Sequence, residues 1–381
     1  VGVSLVGEDQ RLERNFTYQW ASGLAIPVGS VVLAIIVGGI VVLIAGSNPF
    51  TAYWQLAQGA FGGSYNISET LVAAIPYVFT GLAVAFAFRA GLFNIGADGQ
   101  LYAGAILSAW VGFSLNWPGY ALIPCAILCG ILGGGIWAGI VGLLKAWRGA
   151  HEVITTIMLN YTVFAISHYL VEPSNSGVPG PFLAPNILGS PIAHAENAHL
   201  PVIVPGWLVP NGRLHAGLFI AAACVLLFWF ILWRTTLGYK LRAVGLNPKA
   251  AAYSGIHVGW NIFLAMFIAG AFAGLAGMVN LYGLAPYRFT DTFSGGYGFQ
   301  AIAVALLGKN TAIGVVLAAI LFGALDNGAT QMQATANVSY HLVEIVEGLI
   351  IFFIGADAIV RALARRGVIV LPWWQRSEAT A

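Results

Sequence analysis

Residues 71–113 read LVAAIPYVFTGLAVAFAFRAGLFNIGADGQLYAGAILSAWVGF. One apolar run, Leu71 to Phe88, ends in a single cation, Arg89, and a second runs from Leu101 to Phe113. Between them GLFNIGADGQ, Gly91 to Gln100, carries three glycines and the polar side chains Asn94, Asp98 and Gln100. Hydrocarbon offers loose peptide groups no partner, so irregular backbone at membrane depth survives only where protein or water surrounds it. A polar, glycine-punctured break between two spans is therefore a candidate wall of a polar path.

The rest of the composition agrees with that class. Hydrophobic residues make up 59% of the 381, charged residues 8%, and the mean hydropathy is +0.83. Soluble domains carry about 25% charged residues, so the expectation is an all-α polytopic membrane protein with one membrane domain. The net charge of +2 says little about partners. Cys125, Cys129 and Cys224 lie inside apolar runs and read as packing residues rather than a disulfide or metal pair. The N-terminal stretch GEDQRLERN leads into a full-length span, without the short apolar region and cleavage site of a signal peptide.

A span needs about 20 apolar residues. Ten segments qualify as candidates: 25–46, 68–88, 95–114, 119–144, 153–171, 215–233, 259–282, 294–308, 311–331 and 341–359. Positive charge concentrates on the cytoplasmic side of a membrane protein. With both termini inside, fourteen of the sixteen Lys and Arg residues fall in cytoplasmic segments, and only Arg213 and Arg288 fall outside. The predicted organisation is a cytoplasmic segment 1–24, a transmembrane domain 25–360 and a cytoplasmic tail 361–381, N-in and C-in. The external segments are 47–66, mildly amphipathic, and 172–213, rich in Pro, Gly and Asn. Trp117, Trp207, Trp233, Trp373 and Trp374 sit near span ends, as interfacial aromatics do.

This orientation moves the break to the cytoplasmic side at Arg89. It then reads as a turn and helix start, with Asn94 as a cap of the following span and the glycines serving close packing near a gate. Asn94, Asp98 and Gln100 become gate or scaffold candidates as much as solute ligands.

The cytoplasmic connection 234–258 holds LGYKLRAVGLNPKAAAYSGI, residues 237–256. Gly245 and Pro248 punctuate it. Asn247 followed by Pro248 predicts an N-cap and first helical position for a short helix through KAAAYSG. Its small residues would let a partner's groove approach closely, against the plainer reading of a solvated connecting loop.

Four stretches together carry a resemblance: GLFNIGADGQ, HEVITTIMLNY (151–161), GYKLRAVGLNPKAAAYSGI (238–256) and FSGGYGFQAIAVALLGKN (293–310). In this order they resemble the permease subunits of ABC importers, in the ribose/branched-chain amino acid/nucleoside permease family, most closely its nucleoside and simple-sugar branch. The resemblance implies a fold similar to type II importer permeases of the bacterial plasma membrane. It implies partners too: an ATPase that uses the ATP, an extracytoplasmic solute-binding protein and a second permease, of the same or a different chain. Importer permeases dock the ATPase through a loop E-A-A-x-x-x-G. Here Ala250, Ala251 and Gly255 match, while Lys249 stands where the acid would be. Arg242, Gly245, Asn247, Pro248, Ala250, Ala251 and Gly255 are accordingly the coupling-loop residues. A nucleoside is the implied solute, followed by simple sugars and then branched-chain amino acids.

No G-x-x-x-x-G-K-[ST] phosphate loop occurs, so ATP use falls to the partner and no cofactor is assigned to this chain. Ionisable groups inside spans are costly and tend to face a cavity or a partner. Asn160, Asp326, Asn327, Gln331, Glu344 and Glu347 join the break residues as pathway candidates, Glu344 and Glu347 on one helical stripe with His341. The alternative for each is interhelical hydrogen bonding. A proton relay through Asp326 and Glu347 would make the chain an ion-gradient-driven secondary transporter, the rival to the importer. An intramembrane enzyme would need a nucleophile–base pair or metal cluster. His194-x-Glu196-x-x-His199 is the only such constellation and reads as a polar loop, so no metal is expected. The basic, Trp-bearing tail reads as a membrane-surface anchor to lipid rather than a nucleic-acid site.

Overall fold

A computed structural model describes residues 29–115, 117–172, 180–183, 199–207, 209–290, 292–336 and 338–365, the last twelve by backbone alone. The N-terminal segment 1–24, most of 172–213 including His194 and Glu196, and the tail beyond 365 lie outside the described residues. The helices are α1 Gly29–Ile44 and then α2 Pro49–Phe61, α3 Ser64–Arg89, α4 Ala97–Ser114, α5 Gly119–Arg148, α6 Glu152–Val171, α7 Gly217–Arg234, α8 Thr236–Leu246, α9 Pro248–Tyr253, α10 Val258–Gly283, α11 Tyr297–Leu307, α12 Ala312–Ala336 and α13 His341–Arg365. Among the described residues there is no strand; an isolated antiparallel bridge joins Val202 and His215.

By length and hydropathy six of these helices can cross a membrane: α3, α5, α6, α7, α10 and α12. The other segments expected to span are helical as well, but α1 and α11 are shorter and α4 opens on Asp98 and Gln100. Residues 53–335 form one packed body. Residues 1–52 with 336–381 form another, of which α1 and α13 are described.

In the larger body the centre is built from α3, α4, α5 and α10. α3 is apolar all round and buried from Val72 to Ala87 with few interruptions, as a central membrane helix should be. α5 and α10 share the most extensive contact, and α4 packs on both. Glycine makes this possible. A Cβ at Gly134 would come within 2.7 Å of the Gly274 Cα, and one at Gly104 within 2.5 Å of the Gly274 carbonyl oxygen. Without side chains between them, backbones close to van der Waals distance, where dispersion drives association in lipid. Two polar ties join the same helices: Tyr282 Oη donates to the Ser108 carbonyl at 2.7 Å, and Ser108 Oγ to the Ala126 carbonyl at 3.0 Å.

Helix ends follow local chemistry. α5 stops at Gly149, whose φ of 67° is left-handed, with Lys145 and Arg148 in its last turn. Thr235 caps α8 by accepting from Gly238 N at 3.0 Å.

Candidate functional site

The polar side chains of the break between α3 and α4 are buried. Asn94 and Gln100 are each 1% exposed and Asp98 3%. Burial demands partners for every polar atom, and the partners come from four directions.

The break first satisfies itself. Asn94 Nδ2 donates to Gln100 Oε1 at 2.9 Å, and Gln100 Nε2 donates back to Asn94 Oδ1 at 2.8 Å. The same Asn94 oxygen accepts Gly96 N at 3.0 Å. The cap position of α4 is Gly96, not Asn94, which closes a turn two residues earlier. The physical reason is that its amide is engaged by Gln100, six residues on.

Asn160 of α6 then serves backbone that helix cannot. Its Oδ1 accepts Gly99 N at 3.0 Å, and its Nδ2 donates to the Ile95 carbonyl at 3.0 Å. Asp98 faces the other way. It accepts Gly298 N, in the first turn of α11, at 3.1 Å, and the Ser294 side chain bonds it too. Gly298 has no room for a Cβ against Asp98. The motif FSGGYGFQ and the break thus form one junction, with Gly296 in left-handed conformation at φ 88° just before α11.

At the α3 end, Arg89 Nε donates to the Asn310 carbonyl at 2.8 Å and Nη2 to the Lys309 carbonyl at 3.2 Å. Its guanidinium also lies 5.6 Å from the ring centroid of Trp233, over which Arg242 of α8 stacks at 4.2 Å. Gly91, at φ 73°, meets Gly245 backbone to backbone. A Cβ at Gly245 would come within 2.6 Å of the Arg89 carbonyl oxygen and 2.8 Å of Gly91 N. Gly245 does not interrupt a helix, as its residue type led us to expect. It lies inside α8, and glycine is there because another backbone passes.

Beyond it Asn247 caps α9 as the sequence implied, its Oδ1 accepting Lys249 N at 3.0 Å and Ala250 N at 3.1 Å, with Pro248 at the first position. Ala251 is buried, while Lys249 and Ala250 are exposed. Leu246 is 89% and Tyr253 95% exposed. Gly255 ends the segment in left-handed conformation, φ 77°.

The remaining polar candidates stand apart. Asn327 of α12 donates to the carbonyls of Gly59 at 2.9 Å and Asn66 at 3.0 Å, and to Thr70 Oγ1 at 3.1 Å. Gln331 packs its Cβ on Gly59. Asp326 lies near Tyr297, whose ring meets Tyr77 edge-on at 5.0 Å, and Tyr77 Oη donates to Gln300 Oε1 at 2.7 Å. On α13, Glu344 pairs with His341 at 2.9 Å and is half exposed, whereas Glu347 is 4% exposed. The two acids share a stripe but not an environment.

Sequence reasoning missed the pairing of Glu69 with Arg213. Glu69, 5% exposed, accepts from Arg213 Nε at 3.0 Å and from Nη2. This raises the Arg213 pKa above its ordinary value, mainly through that hydrogen bond. The acid sat near the start of a span and the cation alone in a long connection, so nothing local joined them. Among the described residues no group of three His, Cys, Asp or Glu side chains could hold a metal.

A family model described as branched-chain amino acid transport system / permease component matches residues 66–355. The guanosine ABC transporter permease protein NupP of Bacillus subtilis is 38% identical over 89% of this chain and 95% of its own length. The nucleoside ABC transporter permease protein NupB of Lactococcus lactis is 35% identical over 93% and 96%. The glucose ABC transporter permease protein TsgB13 of Haloferax volcanii is 34% identical over 86% of each. No solved structure matches. With three quarters of its length inside the family model and these relatives spanning nearly all of it, the chain belongs to the branched-chain amino acid transport system permease family: it is a multi-pass plasma-membrane permease subunit of an ABC transporter, whose ATP is hydrolysed by a separate subunit.

Proposed function

We propose that this permease imports nucleosides. The observation that carries the reading is near-full-length similarity at 38% and 35% identity to permeases named for guanosine and nucleoside transport. Sugars come second, through the glucose permease at 34%. An importer of this family works with an ATPase and a solute-binding protein. A second permease, of the same or a different chain, would complete the pathway.

In this reading about ten helices cross the membrane, with both termini in the cytoplasm and residues 1–24 and 361–381 flanking a permease domain 25–360. The α8–α9 segment faces the cytoplasm and receives the ATPase on Leu246, Lys249, Ala250 and Tyr253. Support comes from the exposure of Leu246 and Tyr253, 89% and 95%, and from the segment's backbone contact with the break. Segments 47–66 and 172–213 receive the binding protein. Asp326, Asn327, Gln331, Glu344 and Glu347 are assigned to the solute path. Asn94, Asp98 and Asn160 hold the gate-side backbone in place, since each hydrogen-bonds to it, and Gln100 fixes the Asn94 side chain.

The test is uptake of radiolabelled guanosine by proteoliposomes holding the complete complex. ATP-dependent accumulation, competed by other nucleosides and not by glucose, is the expected result. Accumulation competed only by glucose would move the substrate to sugars. Accumulation without any ATPase subunit would remove the importer mechanism.

A further inference from the structure

The helix α11 is held at both of its ends by the two flanks of the break. At its start Asp98 accepts Gly298 N. Past its end, Arg89 binds the carbonyls of Lys309 and Asn310. Between these grips α3 and α11 run in register, Tyr77 on Gln300 and Gly81 against Val304.

The Arg89 grip has the character of a built site. Lys309 and Asn310 both have φ 52°, a left-handed conformation uncommon for residues other than glycine. Such a turn persists only where its surroundings fix it, and it leaves carbonyls that α11 does not use. A guanidinium is planar and presents its donors as a rigid fork, so it can hold two successive carbonyls at once; a lysine ammonium on its flexible stem cannot reproduce that geometry. The same guanidinium and Arg242 of α8 share the ring of Trp233. Two residues on, Gly91 touches Gly245 of α8. Residues 89–91 therefore contact α7, α8 and the α11–α12 turn together.

We propose that Arg89 is a positioning residue for transport: it makes α11 follow α8, so that displacement of the ATPase-docking segment reaches the pathway helices. This rests on the reading that α8 and α9 dock the ATPase. Arg89 touches neither solute nor ATP. It acts by transmitting a displacement, and its loss should separate hydrolysis from transport instead of abolishing both.

The experiment uses the complete complex in proteoliposomes, measuring guanosine transported per ATP hydrolysed alongside ATPase retained on purification. Arg89→Lys keeps the charge and loses the two-carbonyl fork. It is expected to retain the ATPase, to continue hydrolysis and to lower the ratio about five-fold or more, the range of ordinary coupling factors. Trp233→Leu, which leaves both carbonyl bonds, should lower it less. An unchanged ratio in Arg89→Lys, or transport and hydrolysis falling in proportion, would overturn the proposal. Failure of Arg89→Lys and Arg89→Ala to assemble would assign the residue to folding and overturn it as well. The docking reading is tested separately: full ATPase retention by the double variant Ala250→Asp, Ala251→Asp would remove that reading and this proposal with it.

Discussion

Replacing Gly245 with valine should push α8 off the break. The space there is bounded by backbone: the Arg89 carbonyl oxygen at 2.6 Å from a Cβ, the Ala90 carbonyl carbon at 2.7 Å and Gly91 N at 2.8 Å. None of these can rotate away. Carbon–oxygen contacts normally begin at about 3.3 Å, so even an alanine demands that the helix recede by roughly 0.7 Å. Overpacking of this kind costs about 1–3 kcal/mol. A second term opposes it, because Gly245 lies inside α8 and alanine is about 1 kcal/mol better than glycine in a helix. Gly245→Ala should therefore lose about 0–2 kcal/mol. Gly245→Val adds two methyl groups and regains less propensity, so its loss lies near 3 kcal/mol. Gly259 in α10 supplies the control: a Cβ there meets the Ala146 Cβ at 3.4 Å and its carbonyl oxygen at 3.9 Å, ordinary contacts, and Gly259→Ala should be neutral or stabilising. The assay is thermal unfolding of the purified chain in detergent, paired with guanosine uptake in cells. The order expected is Gly259→Ala at or above the parent, then Gly245→Ala, then Gly245→Val, with uptake lowest in the last. Gly245→Val melting and transporting like the parent would refute the contact.

Gly274→Ala should cost more than Gly245→Ala, because its Cβ would enter the space of both the Gly130 carbonyl and Gly134; we expect about 3 kcal/mol or failed insertion, read by thermal unfolding and membrane yield, and parent-like behaviour would refute the close packing. Asn160→Leu leaves Gly99 N and the Ile95 carbonyl without their partners, an expected loss of about 1–3 kcal/mol for each group, whereas Asn160→Asp, whose protonated carboxyl keeps the acceptor for Gly99 N and supplies a donor to the Ile95 carbonyl, should lose less; equal melting of the two variants would contradict this. Arg213→Ala strands the buried Glu69 carboxylate and should destabilise by up to about 3 kcal/mol, discounted because the arginine is 56% exposed. Glu69→Gln leaves a neutral group there and should cost less; the reverse order in thermal unfolding would show that the pair does not act as described.

What could be read in advance and what could not divide along sequence separation. The Asn247–Pro248 cap was legible because a cap is made within three residues. Helix positions were legible because hydrophobic runs are local. Asp98, by contrast, was visible only as an acid in a polar break, since its partner Gly298 is 200 residues away. Glu69 and Arg213 are 144 apart and went unpaired for the same reason. Arg89 was counted as one flanking cation among fourteen, which is correct about charge and silent about its fork. One signal was present and unused. Gly130-x-x-x-Gly134 and Gly270-x-x-x-Gly274 follow the small-residue spacing of close helix pairs, and these are the residues at the α5–α10 contact.

That contact also has a history within each molecule. α4 and α5 are joined by a short connection and enter the membrane together, but α10 begins at Val258, more than a hundred residues after α5 ends at Arg148. Until those residues are synthesised, Gly104, Gly130 and Gly134 lack the α10 backbone they close against, and the hydrogen bond from Tyr282 to Ser108 has no donor. The most closely packed part of the protein is consequently among the later parts to form, and chains truncated before Gly283 should be more readily degraded in the membrane than chains ending just beyond it, a difference that pulse–chase measurement of nested truncations would reveal.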